Sequence, residues 1–298
     1  MSHSSPESAA RLRLALSMLL FGTIGIFRRG IALPSTVIAL VRAAVGTVFL
    51  LALLLLRRQR LSLSGIRRNL LPLLLSGAVL GFNWILLFEA YQYTTVATAT
   101  LCYYMAPIFV LLASPLLLGE RLTRRRAVCA AVALGGMALV SGAAEGGLPT
   151  GGEGKGIALG LAAAALYAAV VLLNKRLRDI PAYDRTIVQL GVATLVLLPY
   201  APQGAGILAA DGQTLMLLLV MGIVHTGLAY ALYFGTAAIL PAQTLALFSY
   251  IDPIVAVLLS ALLLRETMGA AQWLGAAAVL GATLVSELSP RAGRERRS

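Results

Sequence analysis

Ten apolar runs of about 15 to 24 residues, set apart by arginine clusters or by glycine and proline, decide most of what this chain can fold into. They cover 12–27, 34–56, 70–88, 95–118, 127–141, 156–173, 186–200, 214–234, 242–264 and 270–286. A helix needs about 20 mostly apolar residues to cross a bilayer. In lipid it must also satisfy every backbone polar group within itself. The expected fold is therefore all-α and integral to a membrane, with ten transmembrane helices. Composition excludes a soluble domain: 59% of the 298 residues are hydrophobic, 12% are charged and the mean hydropathy is +0.87. Soluble domains average about 45–50% apolar and 25% charged residues. The first run follows Arg11 and Arg13 as a signal peptide would, but ends on Phe27-Arg28-Arg29 without a small-residue cleavage site. It is read as a retained first helix.

The net charge of +12 is not that of a nucleic-acid binder, because the basic residues fall in short clusters between apolar runs and are not interleaved with stacking aromatics on one face. They read as topology signals. With the N-terminus inside, 19 arginines and lysines collect on the cytoplasmic side, against Arg28, Arg29, Lys155 and Arg265 outside, while Arg42 lies within the second helix. Cytoplasmic loops are enriched in such residues, so both termini are expected in the cytoplasm, as in a bacterial inner-membrane protein. Only Arg28-Arg29 argues locally the other way.

The chain also repeats itself. A shift of 146 residues superimposes 98–135 on 244–281 without a gap and matches Tyr104 with Tyr250, Pro107 with Pro253, Ser114 with Ser260 and Glu120 with Glu266. Shared leucines are common in membrane segments; a tyrosine, a proline and a glutamate in one register are not. Each half holds five helices, an odd number, so the second half enters the membrane in the opposite sense. The expected architecture is two inverted five-helix repeats, 12–142 and 156–286. A tail, 1–11, precedes them, an external linker, 143–155, joins them, and a basic tail, 287–298, follows. Inverted repeats are common in secondary transporters, with a site near the midplane between the halves.

These motifs resemble the EamA-like branch of the drug/metabolite transporter superfamily over nearly the whole chain. The resemblance is carried by Tyr104-Met105-Ala106-Pro107 through Gly119-Glu120-Arg121-Leu122-Thr123, and by Tyr250-Ile251-Asp252-Pro253 through Arg265-Glu266-Thr267. Leu240-Pro241-Ala242 and Arg42 also fall where the family has a Pro-Ala step and a membrane arginine. The second half departs from the family's Gly-Glu by carrying Arg265-Glu266. Among members, the chain is similar to ten-helix amino-acid exporters of the YddG type, which implies export.

Candidate substrate-binding residues follow from helical spacing. Trp84, Phe88 and Tyr91 stand at i, i+4 and i+7, as do Thr226, Tyr230 and Tyr233, giving an aromatic stripe on each of two helices. The 146 shift pairs Trp84 with Tyr230 and Phe88 with Phe234, so the two stripes can face one cavity; the alternative is lipid-facing aromatics. His225 lies near the middle of its helix, where an ionisable group is a functional candidate. It suits substrate hydrogen bonding or a proton step, or else a plain bond to a neighbouring helix. Asp252 lies mid-helix with Thr244 and Phe248 on its face, and can meet a substrate ammonium or satisfy backbone groups freed by Pro253. Tyr104 and Tyr250 precede the repeated prolines, which makes Pro107 and Pro253 candidate hinges and Tyr104 a pathway residue. Glu89 reads as a solvated or interfacial acid, and Arg42, which could hold a carboxylate, reads first as snorkelling to the headgroups or pairing with a loop acid. Glu120 and Glu266 are expected to fix loop geometry. Ala131-x3-Gly135 and Ala277-x3-Gly281 are expected to let helices approach closely.

A carrier of a small-molecule substrate within a lipid bilayer accounts for this set. Aromatic residues with few charges suit an amphipathic zwitterion such as an aromatic or other neutral amino acid, and a multidrug exporter of hydrophobic cations is the alternative, with Glu89 or Asp252 as its counter-charge. Enzyme chemistry lacks a nucleophile with a base. The two cysteines, Cys102 and Cys129, and the histidines His3 and His225 have no metal-ligand spacing. With no Walker motif, ATP does not drive the carrier directly. No cofactor, metal or nucleic acid is expected, and the working unit is a monomer or a homodimer.

Overall fold

A computed structural model describes residues 6–119, 122–142, 151–205, 207, 210–237 and 239–288. Glu120, most of the expected linker and the basic C-terminal tail from residue 289 on lie outside the described residues.

Among the described residues the chain is helical, with no strand. The elements are α1 (Pro6–Gly22), α2 (Ile24–Arg29), α3 (Ser35–Leu56), α4 (Leu63–Arg68), α5 (Leu70–Tyr93), α6 (Val96–Tyr103), α7 (Ala106–Leu118), α8 (Arg124–Val140), α9 (Gly152–Asn174), α10 (Ala182–Leu197), α11 (Gly212–Gly222), α12 (Ala229–Ala237), α13 (Ala242–Ser249), α14 (Ile251–Leu263) and α15 (Ala270–Leu288). A 3₁₀ turn, Leu198–Gly204, extends α10, and a π turn, Ile223–Leu228, joins α11 to α12. Seven helical stretches are long and apolar enough to cross a membrane: Glu7–Arg29, Ser35–Leu56, Leu70–Tyr93, Val96–Leu117, Gly152–Asn174, Ala182–Gly204 and Gly212–Thr236. Leu247–Leu263 and Ala270–Ser286 are shorter apolar helices. Leucines with most of their surface exposed, such as Leu56, Leu116 and Leu262, give the outside the apolar character of a lipid-facing wall.

The helices start and stop for local reasons. Thr95, Thr123 and Asp211 accept hydrogen bonds from the backbone N–H three residues on, at 3.0, 3.4 and 2.9 Å, capping α6, α8 and α11. Pro107 and Pro253 fall in the first turns of α7 and α14, where a missing N–H leaves no internal bond unmade. The chain breaks just before them, at Tyr104-Met105 and at Tyr250. A third break, at Thr23 between α1 and α2, has no proline to announce it. Gly119 ends α7 with φ +67°, and Arg265, its mate by the 146 shift, has φ +54°. The departure from glycine therefore puts an arginine in the left-handed region that glycine adopts without cost.

Packing joins the two halves throughout. Helix α5 lies along α9 and α10, α3 packs on α10, α1 packs on α12 and α14, and α8 pairs with α15. At one pole α6 packs against α14; the pair related to it by the shift, α13 and α7, does not pack to a comparable extent among the described residues. The α8–α15 contact corrects the expectation for Gly135 and Gly281. Helix α8 buries Cys129, Ala130, Ala133, Gly136, Met137 and Val140, and one residue's 100° rotation carries Gly135 off that stripe. A Cβ added at Gly135 or Gly281 meets nothing within 4 Å, whereas one at Gly275 would lie 2.5 Å from the Gly136 carbonyl oxygen. Gly275→Val is accordingly expected to destabilise by about 1–3 kcal/mol through overpacking. Gly135→Val should stay within about 0.5 kcal/mol, and thermal unfolding of the two variants in one detergent checks the contrast.

Candidate functional site

The centre of the protein is organised around a charge. Arg42 is 3% exposed on α3, so it neither snorkels to the headgroups nor pairs with a loop acid. Its guanidinium carbon lies 4.2 Å from the centroid of the Trp84 ring and 5.6 Å from that of Phe88, one turn further along α5. Its Nε donates to the Thr226 hydroxyl at 2.7 Å. That hydroxyl in turn donates to the Met221 carbonyl at 3.0 Å, five residues back, which the wider π turn brings into line. The aromatic stripe read from spacing is thus a shelf under a buried cation.

Opposite it, two helix breaks meet. The Tyr104 hydroxyl donates to Asp252 Oδ2 at 2.8 Å and lies 3.2 Å from the Ser249 carbonyl oxygen. The Tyr104 and Tyr250 rings are 6.3 Å apart. Asp252 lies within the electrostatic reach of Arg42 and of Tyr91, Tyr167 and Tyr230. Tyr167 on α9, with its ring 5.3 Å from that of Tyr103, is surrounded by protein and still 38% exposed. Tyr103, Tyr104, Tyr230 and Asp252 likewise lie deep and keep part of their surface accessible. They line an internal space.

The remaining predicted residues divide by location. Tyr230 stacks on Phe234 at 5.7 Å and meets Phe21 at 5.3 Å, which places it beside the Arg42 shelf. Tyr91 is buried, with its hydroxyl 3.3 Å from that of Thr100. Tyr233 and Phe248 pack with Leu14 and Leu240 in a separate apolar cluster. His225 is 1% exposed, its Nε2 is 2.8 Å from the Thr23 hydroxyl at the α1–α2 break and its ring lies 4.6 Å from Phe27. It reaches a neighbouring helix rather than the internal space. Pro107 and Pro253 stand just after the breaks, Pro253 directly following Asp252. Sequence reasoning missed Thr226 as the Arg42 acceptor, and Asn83, which donates to the Ala163 carbonyl at 2.5 Å and accepts from the Tyr103 hydroxyl at 3.2 Å. It also missed Tyr167, although continuing the 146 shift pairs Tyr167 with Phe21.

One pole is sealed above this centre. Glu266 pairs with Arg29 at 2.9 Å, accepts from the Val96 backbone N–H at 2.8 Å and accepts a short hydrogen bond from Ser260. Arg29 also donates to the Thr94 carbonyl at 2.8 Å. Nearby, the buried Arg28 donates to the Ile31 carbonyl and the Ser35 hydroxyl, each at 2.9 Å, and Ser35 donates to Glu89 at 2.6 Å. Glu89 is therefore a tethered acid at this pole, away from the aromatic shelf. The pair Arg28-Arg29 is consumed by these contacts.

Broken membrane helices around a partnered charge and a ring-lined space are the construction of a multi-pass membrane transporter. The chain belongs to the EamA-like transporter family, within the drug/metabolite transporter superfamily, and the family matches it twice, over residues 10–142 and 154–287. It is 32% identical over 256 residues to the uncharacterized transporter YxxF of Bacillus subtilis (strain 168), covering 86% of this chain and 82% of that protein. It is 29% identical over 229 residues to the protein RarD of Salmonella typhi, covering 74% of each. A stretch of 93 residues, 31% of each chain, is 39% identical to the pseudopaline exporter CntI of Pseudomonas aeruginosa (strain UCBPP-PA14). A solved crystal structure superimposes with a TM-score of 0.61 at 23% identity, covering 93% of this chain and 96% of that one, which shows a shared fold. The family and the Bacillus subtilis and Pseudomonas aeruginosa relatives are named as transporters, and not as enzymes.

Tyr104→Phe deletes the hydroxyl that Asp252 accepts from and leaves a half-buried carboxylate without that donor. It is expected to cost about 1–3 kcal/mol, read as a lowered unfolding midpoint, while Tyr93→Phe at the exposed contact with Lys155 should leave the midpoint unchanged.

Proposed function

We propose that this protein exports neutral amino acids, aromatic ones above all, across a bacterial inner membrane by alternating access. The observation that carries the reading is the buried cation Arg42, packed on Trp84 and Phe88, together with Asp252 held by Tyr104 where two helix breaks meet. A zwitterion complements both: its carboxylate meets the guanidinium fork, its ammonium meets Asp252, and an aromatic side chain stacks against Trp84 or Tyr230. An inorganic or nucleotide anion finds few cations there, Arg42 and, within electrostatic reach of Tyr167 and Tyr233, Arg185. A hydrophobic cation finds Asp252 and the tyrosines, but must also approach Arg42. Export is supported by the family and by the relative named as an exporter.

In this reading ten helices cross the membrane as two inverted five-helix repeats, with both termini in the cytoplasm and the Glu266 pole outside. The shorter helices Leu247–Leu263 and Ala270–Ser286, and α8 at 17 residues, are the last crossings. At about 1.5 Å per residue they come close to a 30 Å core. Alternating access needs the two poles to open in turn. The Arg29–Glu266 pair, which draws α2, α6 and the end of α14 together, is the closed outer gate of that cycle. The breaks at Thr23, Tyr104-Met105 and Tyr250 let half-helices tilt, with Pro107 and Pro253 fixing where α7 and α14 restart.

Uptake of labelled amino acids and of a lipophilic cation into proteoliposomes tests the substrate. Saturable amino-acid flux that falls at least about tenfold in Trp84→Ala/Tyr230→Ala, where two stacking faces of about 1 kcal/mol each are lost, is the expected result. Cation flux alone, abolished by Asp252→Asn, would make the protein a drug exporter. For the gate, Glu266→Gln gives up the ion pair while keeping the volume. A cysteine replacing the buried Thr98 should then react several-fold faster with a polar reagent added outside, and unchanged labelling would remove Glu266 from the gate.

A further inference from the structure

At the pole opposite Glu266, a groove of about 610 Å³ is lined by Arg68, Asn69, Pro72, Arg176, Arg178 and Asp179. It joins the two halves of the chain, because Arg68 to Pro72 form the corner between α4 and α5 while Arg176 to Asp179 follow α9. The corner is held from inside. Asn69 is 3% exposed, donates to the Gly65 carbonyl at 2.8 Å and the Arg178 carbonyl at 2.7 Å, and accepts from the Arg178 backbone N–H at 3.0 Å. Asp179 sits beyond it with φ +50°, in a conformation that L residues rarely hold.

Three guanidinium groups face this groove against one carboxylate. Arg68 pairs with Asp179 at 2.8 Å, but both side chains are largely exposed, and such a pair contributes little and exchanges readily. Arg176 makes one long contact, 3.5 Å to the Leu117 carbonyl. The Arg178 side chain has no hydrogen-bond or ion-pair partner among the described residues. The groove floor then gives way to an apolar wall: Leu70, Leu71, Leu74 and Leu75 of α5 and Leu116 and Leu117 of α7 are all exposed. A free anion would use the charges and leave this wall untouched; a lipid uses both.

We infer that the groove holds the phosphodiester headgroup of an anionic phospholipid. Arg176 and Arg178 bind its phosphate oxygens, and its acyl chains lie along α5 and the end of α7. The planar fork of each guanidinium suits paired phosphate oxygens, and basic pockets between transmembrane helices select anionic headgroups. The inference rests on the membrane location of the chain and not on its substrate.

Native mass spectrometry of the purified full chain, exchanged into micelles holding equal phosphatidylglycerol and phosphatidylcholine, tests it. Wild type is expected to retain phosphatidylglycerol in preference. Arg176→Gln/Arg178→Gln should lose that preference, with retention about tenfold lower, while Arg11→Gln/Arg13→Gln, which removes two exposed arginines elsewhere, should keep it. Matching unfolding temperatures certify the fold, and Arg178→Gln alone serves where the double variant does not fold. Equal loss in both double variants would mean a general basic surface, and displacement of the lipid by millimolar inorganic phosphate would mean a site for a free anion; either result overturns the inference.

Discussion

A guanidinium buried among membrane-spanning helices is the constraint around which the rest of this protein is arranged. Taking such a cation out of water costs several kcal/mol even after the surroundings relax, and Arg42 offsets that only through specific neighbours. The Trp84 face contributes about 2 kcal/mol when water is excluded. The Thr226 hydroxyl contributes a charge-assisted hydrogen bond. Each partner comes from a different helix, so α3, α5 and the π turn after α11 are fixed relative to one another by one side chain. Tyr104 ties the α6–α7 break to the start of α14 through Asp252.

The same residues that make the centre stable leave it incomplete. Trp84 covers one side of the guanidinium and Thr226 takes its Nε, while the tyrosines around Asp252 keep accessible surface. A buried cation whose hydrogen-bonding groups are only partly used attracts a ligand of opposite charge, because in a dry site the ligand replaces solvation that the protein provides only in part. That is the physical basis for reading the centre as a zwitterion site. It also explains why the seal at the Glu266 pole is built from separate charges: Arg28, Arg29, Glu89 and Glu266 close that pole without drawing on Arg42 or Asp252.

Much of this was legible in the sequence, for reasons that can be named. Apolar run length gave the membrane class because lipid imposes one rule on every segment, and the Tyr-Pro-Glu register gave the family. Helical spacing found Trp84, Phe88 and Tyr230, since i, i+4 and i+7 share a face in any helix. Arg42 was misplaced because a long stem can carry its charge outward or inward, and the choice depends on Trp84 and Thr226, which are distant in sequence. The break at Thr23 and the π turn at 223–228 carry no proline, so no local signal marked them. Gly135 was chosen over Gly136 because adjacent glycines differ by only 100° of rotation, which the repeat alone does not resolve. Glu266 was read as a loop-shaping residue. It does cap α6 at Val96, but its pairing with Arg29 across 237 residues of chain has no signature in either neighbourhood.

The most direct test of the central claim is a binding cycle between Arg42 and the carboxylate it is proposed to hold. Calorimetric affinities would be measured for phenylalanine and phenylalaninamide, on wild type and on Arg42→Gln. If Arg42 binds the carboxylate, wild type prefers the acid over the amide by about 1.5–3 kcal/mol, the worth of a hydrogen bond to a charged group, and the variant no longer distinguishes them. If the variant keeps the full preference, another group reads the carboxylate, and Arg42 belongs to the scaffold alone.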